Sequence, residues 1–353
     1  MHLSAESLAF PVDVAPLAHM VELSWPRLRD LALTGRFSDA SQVSYMSRLV
    51  GSMCCPRSLS IQVAQLADHP RPRVLQKHQL RSIDMQGLQS LTLAYPNPDD
   101  AIFTVAGPSL RHLSLRDWPR YYTRFQWAFN SELEGLAMPI ISSSECLRIL
   151  ARMSMPRLQH LELVYEADAM EEELLLHVGS AYSCLESFEL HQYRSVSHGS
   201  IAVRFDRIAE ILRSVTGLRI LRLHLAYDQA DTLTHGVYEP WAPQEADDEL
   251  DCPFLVRITH RSRGRAWPFA SAMVRYGDAI LAIMKESGGC PLLKELYLLY
   301  SNNGPHRWVQ FFPSHYPKPW TGIGAVSVDW DHKDENDFDF PPAYKSTGRR
   351  VRV

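Results

Sequence analysis

Residues 156–163 read Pro-Arg-Leu-Gln-His-Leu-Glu-Leu, and their spacing decides the fold that the chain is expected to adopt. The same spacing of apolar residues returns at residues 185–190 and 218–223. In each copy the last two apolar residues are two positions apart, as on one face of a β-strand. Segments with helical spacing separate the copies. A strand followed by a helix, repeated along the chain, is typical of a leucine-rich-repeat solenoid.

Further copies of this unit extend along most of the chain. Clear copies begin at residues 28, 88, 110, 158, 185, 218 and 293, and weaker ones at 56, 133, 255 and 323. Several are preceded by a proline, which cannot continue the helix before it and so marks the return to the sheet. We therefore predict an α/β leucine-rich-repeat horseshoe of about eleven irregular units, with a parallel sheet on the concave face and helices on the convex face.

The solenoid is predicted to be one continuous domain over residues 25–330. An N-terminal segment, residues 1–24, precedes it, and a charged C-terminal tail, residues 331–353, follows it. Residues 228–251 contain eight acidic residues and no Lys or Arg, which indicates an acidic insertion between two copies. Amphipathic helices are predicted within residues 142–153, 168–182, 200–215 and 267–286.

The composition argues against several classes of protein. The net charge of −4 gives no reason to expect a nucleic-acid partner, and no apolar run approaches the roughly 18 residues that span a bilayer. The six cysteines form no Cys-x-x-Cys pair, so buried reduced thiols in a cytoplasmic or nuclear protein are expected.

The common sequence motifs of catalytic, nucleotide-binding and zinc-binding sites do not occur in the sequence. It contains no nucleophile elbow, zinc-binding helix, P-loop or zinc-spaced Cys/His set, so we predict neither an enzyme nor a cofactor or metal site. Gly322 and Gly324 are only a fragment of a dinucleotide-binding loop, and they stand at a strand start. His191, His198 and Glu189 do not match a metal-binding spacing.

The residues beside the two core positions of each strand are expected to point out of the concave face. In the early copies these residues are small: Ala32, Ser60, Thr92, Ser114 and Ala137. In the later copies they are larger and mostly charged: His160, Glu162, Glu189, His191, Arg222, His224, Arg257, Arg261, Glu295 and Tyr297. Neighbouring strands are about 4.8 Å apart, so these side chains form one stripe that suits a polar protein partner.

Two alternatives stay open for this face. It is either a binding surface or a solvated face on which Glu and Arg side chains pair with each other. As an exposed pair, Glu189 and Arg222 would contribute only about 0–1 kcal/mol to stability. The aromatic residues that recur after the strands either form a binding rim or pack beneath the next loop: Tyr95, Trp118, Tyr165, Tyr193, Tyr227, Tyr300 and Trp330.

The repeat block resembles the leucine-rich-repeat region of fungal F-box proteins over roughly residues 25–330. Residues 25–31 (Trp-Pro-Arg-Leu-Arg-Asp-Leu) and 108–115 (Pro-Ser-Leu-Arg-His-Leu-Ser-Leu) carry the resemblance. It implies that the repeats select a substrate for a ubiquitin ligase, while an F-box binds the Skp-type adaptor. The Leu-Pro opening and apolar helices of an F-box are not apparent in residues 1–24, so adaptor binding is expected only if an F-box lies upstream. The alternatives are a stand-alone scaffold with no ubiquitin link and, suggested by the fold and the acidic tail, a GTPase-activating regulator.

Overall fold

The computed structural model describes residues 4–66, 69–81, 83–118, 120, 136–137, 139–194, 202–225, 267–300, 307–311 and 326–327. Three of the predicted features lie outside these residues. They are the acidic insertion at 228–251, the copy that begins at 255 and the tail at 331–353.

Fourteen strands are found in the described part of the chain. In order they are β1 (Ser7–Pro11), β2 (Asp30–Thr34), β3 (Ser58–Ile61), β4 (Gln65–Leu66), β5 (Ser90–Ala94), β6 (His112–Arg116), β7 (Leu136–Ala137), β8 (Ile141–Ser142), β9 (His160–Glu166), β10 (Ser187–Tyr193), β11 (Ile220–His224), β12 (Glu295–Tyr300), β13 (Arg307–Phe311) and β14 (Val326–Ser327). Eleven of these described strands follow one another in one open, mostly parallel sheet in the order β1-β2-β3-β5-β6-β9-β10-β11-β12-β13-β14, and a twelfth, the short β8, also pairs with β9. This confirms the predicted α/β class and the parallel pairing of most strands.

Helices occupy most of the connections between parallel strands. They are α1 (Leu17–Met20), α2 (Ala40–Gly51), α3 (Ile102–Val105), α4 (Ser143–Leu150), α5 (Glu171–Ala181), α6 (Phe205–Leu212) and α7 (Trp267–Lys285), with short 3-10 helices at Lys77–Arg81 and Glu286–Gly288. Helix α4 begins with a capping box formed by Ser142 and Glu145. None of the helices in the described ranges is both long enough and apolar enough to cross a membrane.

The core lies between the leucine face of the sheet and the helices. Leu31, Leu59 and Leu91 are aligned across β2, β3 and β5, and each is at most 1% exposed. Helix residues such as Leu174 and Leu212 belong to the same buried cluster. Alternation along each strand therefore places the flanking residues on the opposite face, as the sequence predicts.

The weak copy that begins at residue 133 was predicted to add a strand to this sheet, and that prediction is wrong. Strand β7 pairs antiparallel with β4 in a separate two-stranded sheet. Strand β6 instead pairs directly with β9, with Leu113 aligned with Leu161. Ala137 is therefore not part of the row of small side chains that was predicted to run across the main sheet.

The copy that begins at residue 323 is also not a parallel repeat. Strand β13 pairs antiparallel with β12, and β14 pairs antiparallel with β13. Only residues 301–306 connect β12 to β13, whereas a parallel connection needs about a dozen residues or more. The connection is too short to cross over, so this end of the sheet folds back on itself.

The sheet begins earlier than the first predicted copy, with β1 inside the segment 1–24. Ala5, Leu8 and Phe10 have the repeat spacing and pack against the core, but alanine at the first position obscures the pattern. The backbone carbonyl of Glu6 and the backbone N–H of Val12 form hydrogen bonds on the side of β2. Because the backbone groups of successive residues in a strand point to alternate sides, those of Pro11 point away from β2. Because proline has no N–H group, it reduces the tendency of this edge to pair with another strand.

Candidate binding face of the sheet

The face of the sheet opposite the leucines, here called the polar face, consists of side chains aligned in rows across the strands. Its middle row is Ala32, Ser60, Thr92, Ser114, Glu162, Glu189, Arg222 and Tyr297. A first row beside it includes His112, His160, Ser187, Ile220 and Glu295. A third row includes Val164, His191 and His224. The structure thus brings together eight of the ten residues predicted for the site, while Arg257 and Arg261 lie outside the described residues.

Glu162 is the centre of one group of contacts on the polar face. Its carboxylate accepts a hydrogen bond of 2.6 Å from the hydroxyl of Ser114 on β6. An Nη2 atom of Arg120 lies 2.5 Å from Glu162 Oε1, and Arg116 Nε lies 3.9 Å from the same oxygen. The Glu162 side chain is 16% exposed, so it is partly buried and its charge is balanced locally.

Glu189 occupies the equivalent position on the next strand and is equally well paired. Its Oε1 atom forms a 2.8 Å hydrogen bond with His191 Nε2 and lies 3.6 Å from Arg120 Nη2. Arg222 Nη1 donates to its other oxygen at 3.3 Å. Arg222 also lies over the ring of Tyr297, 5.1 Å from the centroid. The middle row is therefore one continuous network from Ser114 to Tyr297.

Arginines, and for Glu189 also His191, determine the protonation of the two glutamates. Burial alone would raise the pKa of Glu162, but Arg120 and Arg116 outweigh it and hold the pKa below its ordinary value of 4.5. Burial also opposes ionisation of Glu189, yet the hydrogen bond with His191 and the charges of Arg120 and Arg222 lower its pKa. Both side chains are therefore carboxylates at neutral pH.

The network changes the expectation for Glu189 and Arg222. From the sequence they were expected to form an exposed pair, but their side chains are only 19% and 24% exposed. Exchanging their charges would place a new cation at position 189 beside Arg120. We therefore expect the exchange to destabilise the fold rather than to leave it nearly unchanged.

One group on this face has the composition of a metal site. Glu162, Glu189 and His191 each offer a ligand atom, and these atoms lie within 4.8 Å of one another. The sequence did not predict this set, because Glu162 comes from a different strand. The guanidinium of Arg120 reaches both carboxylates, so an arginine already provides the positive charge there.

His112 and His160 form a stacked pair on the first row. Their ring centroids are 4.4 Å apart and the rings are inclined by only 11°. Burial, followed by the neighbouring His160, lowers the pKa of His112 from 6.5 to about 4. Burial and the charge of Arg222 lower the pKa of His160 as well. The two rings are therefore neutral at physiological pH and present an uncharged planar surface.

His191 lies on the predicted face but is not exposed. Its side chain is fully buried, with His224 and Trp308 in edge-to-face contact at 5.5 and 5.7 Å. The prediction that it is available to a partner is wrong, because β13 brings Trp308 over the third row. His191 instead positions Glu189 through their hydrogen bond.

Sequence reasoning missed three charged residues of the network. Arg116, Asp117 and Arg120 come from the end of β6 and the residues after it, and Arg120 Nη1 lies 3.1 Å from Asp117 Oδ1. A signal was present, since these charges follow a strand directly. The repeat pattern assigns no role to residues beyond the strand, so they were not connected with the face.

Three of the aromatic residues that were expected to follow the strands lie at or just beyond strand ends and are involved in packing. Tyr165 is buried and donates a 2.7 Å hydrogen bond to Glu171. The Tyr95 ring lies 4.0 Å from the guanidinium of Arg71, and Tyr193 contacts His224 edge to face. Tyr227 and Trp330 lie outside the described residues. These contacts favour the packing alternative over a binding rim for Tyr95, Tyr165 and Tyr193.

The cysteines are free among the described residues, but only some are buried. Cys146 and Cys290 are buried, as expected, whereas Cys54, Cys55 and Cys184 are exposed. The expectation of uniformly buried thiols is therefore wrong for these three.

Comparison with known proteins does not assign the chain to a family. Models of known protein families do not match the chain, and neither do curated proteins or solved structures.

Proposed function

We propose that the chain is a protein-recognition module of the leucine-rich-repeat type that binds its partner through the polar face of the sheet. The observation that supports this most directly is the middle row from Ser114 to Tyr297. Its polar side chains come from five neighbouring strands in strict register and stay partly accessible. Charged and aromatic side chains held by their neighbours lose little entropy on binding, which favours a protein partner.

The repeat geometry supports the solenoid part of this proposal. Strands β1 to β12 of the main sheet run parallel, and helices such as α4, α5, α6 and α7 pack successively on one another. In a repeat protein of this kind the sheet lines the concave side and the helices the convex side. The polar face would then be the concave surface, where a partner meets several repeats at once.

The cellular context that we propose is substrate selection for a ubiquitin ligase, by resemblance to fungal F-box proteins. The phrases at residues 25–31 and 108–115 support it, and both precede or enter strands of the sheet, β2 and β6. A scaffold without a ubiquitin link is the alternative. The third candidate, a GTPase-activating regulator, has no support from any described contact.

Affinity capture from a cytosolic extract separates these functions. Recovery of a Skp-type adaptor together with a further protein supports the ligase receptor. Recovery of a stable partner without adaptor supports the scaffold, and stimulated GTP hydrolysis by the purified chain supports the regulator. If no protein is retained above a matched bead control, protein recognition itself is contradicted.

A further inference from the structure

A second charged surface lies at the edge of the sheet where the parallel strands begin. The residue directly before each of these strands is aligned with its equivalents, because its backbone N–H donates to the backbone carbonyl of the equivalent residue on the preceding strand of the sheet. The aligned residues from β1 to β12 are Glu6, Arg29, Arg57, Gln89, Arg111, Gln159, Glu186, Arg219 and Lys294. Five of them are cations and two are anions, although the whole chain has a net charge of −4.

Two further arginines widen this charged edge. Arg27 and Arg157 each follow a proline and lie two positions before an aligned residue. The equivalent residues of the other strands are uncharged: Ser4, Cys55, Gly87, Ser109, Cys184, Gly217 and Leu292. All the cations of this surface, here called the basic edge, are exposed: Arg27, Arg29, Arg57, Arg111, Arg157, Arg219 and Lys294. Seven positive groups therefore stand beside two negative ones, Glu6 and Glu186.

Most cations of the basic edge have no anionic partner within the described fold. Arg57 lies 2.5 Å from Asp30, and Arg219 lies 3.4 Å from Glu186. Among the residues that the structure describes, none of the other five forms an ion pair with a carboxylate: Arg27, Arg29, Arg111, Arg157 and Lys294. Like charges on neighbouring strands weaken a sheet rather than strengthen it. Ion pairing within the described fold therefore does not account for these five cations.

The length of the basic edge fits an extended polypeptide segment. Arg29 on the β2 side and Lys294 on the β12 side are seven strand spacings apart, which at about 4.8 Å each amounts to about 34 Å. An extended chain rises by about 3.3 Å per residue, so on the order of ten residues cover this distance. A segment of this length could contact most of the unpaired cations at once.

The pattern of charge favours a polypeptide over a nucleic acid. Glu6 and Glu186 interrupt the edge, and Asp30 and Glu295 belong to the first row beside it. A uniform phosphate backbone would meet these carboxylates, whereas a polypeptide can place neutral or basic residues opposite them. None of the aligned residues is aromatic, so the edge has no platform on which bases could stack.

From this arrangement we propose that the basic edge binds an extended, acidic polypeptide segment of about ten residues. The edge is a second interaction surface, and it does not depend on protein binding by the polar face. Each contact is an exposed ion pair and contributes little alone. Binding therefore requires several of the cations together and weakens as salt screens them.

The test uses a fluorescent peptide of about twelve alternating Glu and Ser residues, long enough to cover the edge. Fluorescence anisotropy is expected to show binding to the wild type in about 50 mM NaCl and release towards about 300 mM. The variant R29Q/R111Q/R157Q/K294Q removes four unpaired cations and is expected to bind the peptide at least about tenfold more weakly. If this variant does not fold, R29Q/R111Q is used and is expected to lose about threefold.

The matched control removes four positive charges elsewhere on the surface. Arg48, Arg148, Arg204 and Arg207 are exposed and lie on or directly before helices α2, α4 and α6. R48Q/R148Q/R204Q/R207Q has the same net charge as the edge variant, so it measures the effect of net charge alone. It is expected to bind the peptide within about twofold of the wild type. Thermal unfolding of both variants checks that each is folded during the measurement.

Four results would overturn the proposal. They are no binding of the Glu-Ser peptide at low salt, unchanged binding by the edge variant, an equal loss in the control variant, and equal affinity of the wild type for a Lys-Ser peptide. Tighter, edge-dependent binding of a thymidine oligonucleotide of similar length would also overturn it, because the edge would then be a nucleic-acid surface. Since the probe is a defined peptide, failure of partner binding by the polar face would leave this result intact.

Discussion

Glu189 makes three charged or polar contacts with one partly buried side chain. We therefore expect it to contribute more to the stability of the fold than an exposed residue would. His191, Arg120 and Arg222 all converge on its carboxylate. The position of Glu189 on the polar face follows from the strand alternation, but only one of its three partners follows from the strand register. Arg222 is the aligned residue of the next strand, while Arg120 arrives from outside the sheet.

Replacing this carboxylate by an amide tests the network. Glu189→Gln is expected to lower the free energy of unfolding by about 1–3 kcal/mol, because Arg120 and Arg222 lose one of their anions. Glu172→Gln is the control, since its partner Arg207 is exposed and solvent screening makes the expected loss there much smaller. Denaturant unfolding at neutral pH measures both. Equal losses would show that the network contributes no more than a surface pair.

The stacked histidines predict a dependence of stability on pH. The folded-state pKa of His112 is about 4, below its ordinary 6.5, so the unfolded chain binds more protons between these values. The stabilisation that depends on neutral His112 is therefore expected to be complete above pH 6.5 and to be lost as the pH drops towards 4. His112→Gln should flatten this part of the curve. Unfolding midpoints measured across this range check the prediction, and an unchanged slope in the variant would contradict it.

At the scale of elements, the positions of the strands were more predictable than the way in which the strands pair. The leucine spacing identifies β2, β5, β6, β9, β10, β11 and β12, because burial of alternate residues is a local property of a strand. The antiparallel pairing of β13 and β14 was missed. Whether two strands pair in parallel or antiparallel depends on the length of the segment that connects them and on contacts that they make with other elements. One such contact joins β13 to α7, where Phe311 lies against Gly277.

That contact requires glycine at position 277. A Cβ atom there would lie 2.5 and 2.6 Å from two atoms of the Phe311 ring, which is fully buried. Gly277→Ala is expected to lower stability by roughly 1–3 kcal/mol, despite the better helix propensity of alanine. Gly87→Ala is the control, because nothing lies within 4 Å of its Cβ position. Thermal unfolding of both variants measures the difference, and a neutral Gly277→Ala would place β13 elsewhere.

For the whole molecule, the sequence predicts the class of fold and the position of the polar face, but not its electrostatics. Ser114, Glu162, Glu189, Arg222 and Tyr297 were assigned to one row from their place between leucines, and the register confirms that assignment. The burial of His191 and the role of Arg120 could not be predicted from the leucine spacing. Both depend on residues that approach the sheet from outside the repeat, and a repeat pattern carries no information about them.

The central claim is that the polar face binds a protein, and a pair of variants tests it most directly. Arg222→Gln with Tyr297→Ala changes two partly accessible members of the middle row, while Arg207→Gln changes an exposed arginine on α6. Affinity for a captured partner would be measured for both, at a temperature where thermal unfolding shows that each variant is folded. We predict at least about tenfold weaker binding, or roughly 1.4 kcal/mol, for the polar-face variant and no change for the α6 variant. Unchanged binding by the polar-face variant would contradict the account.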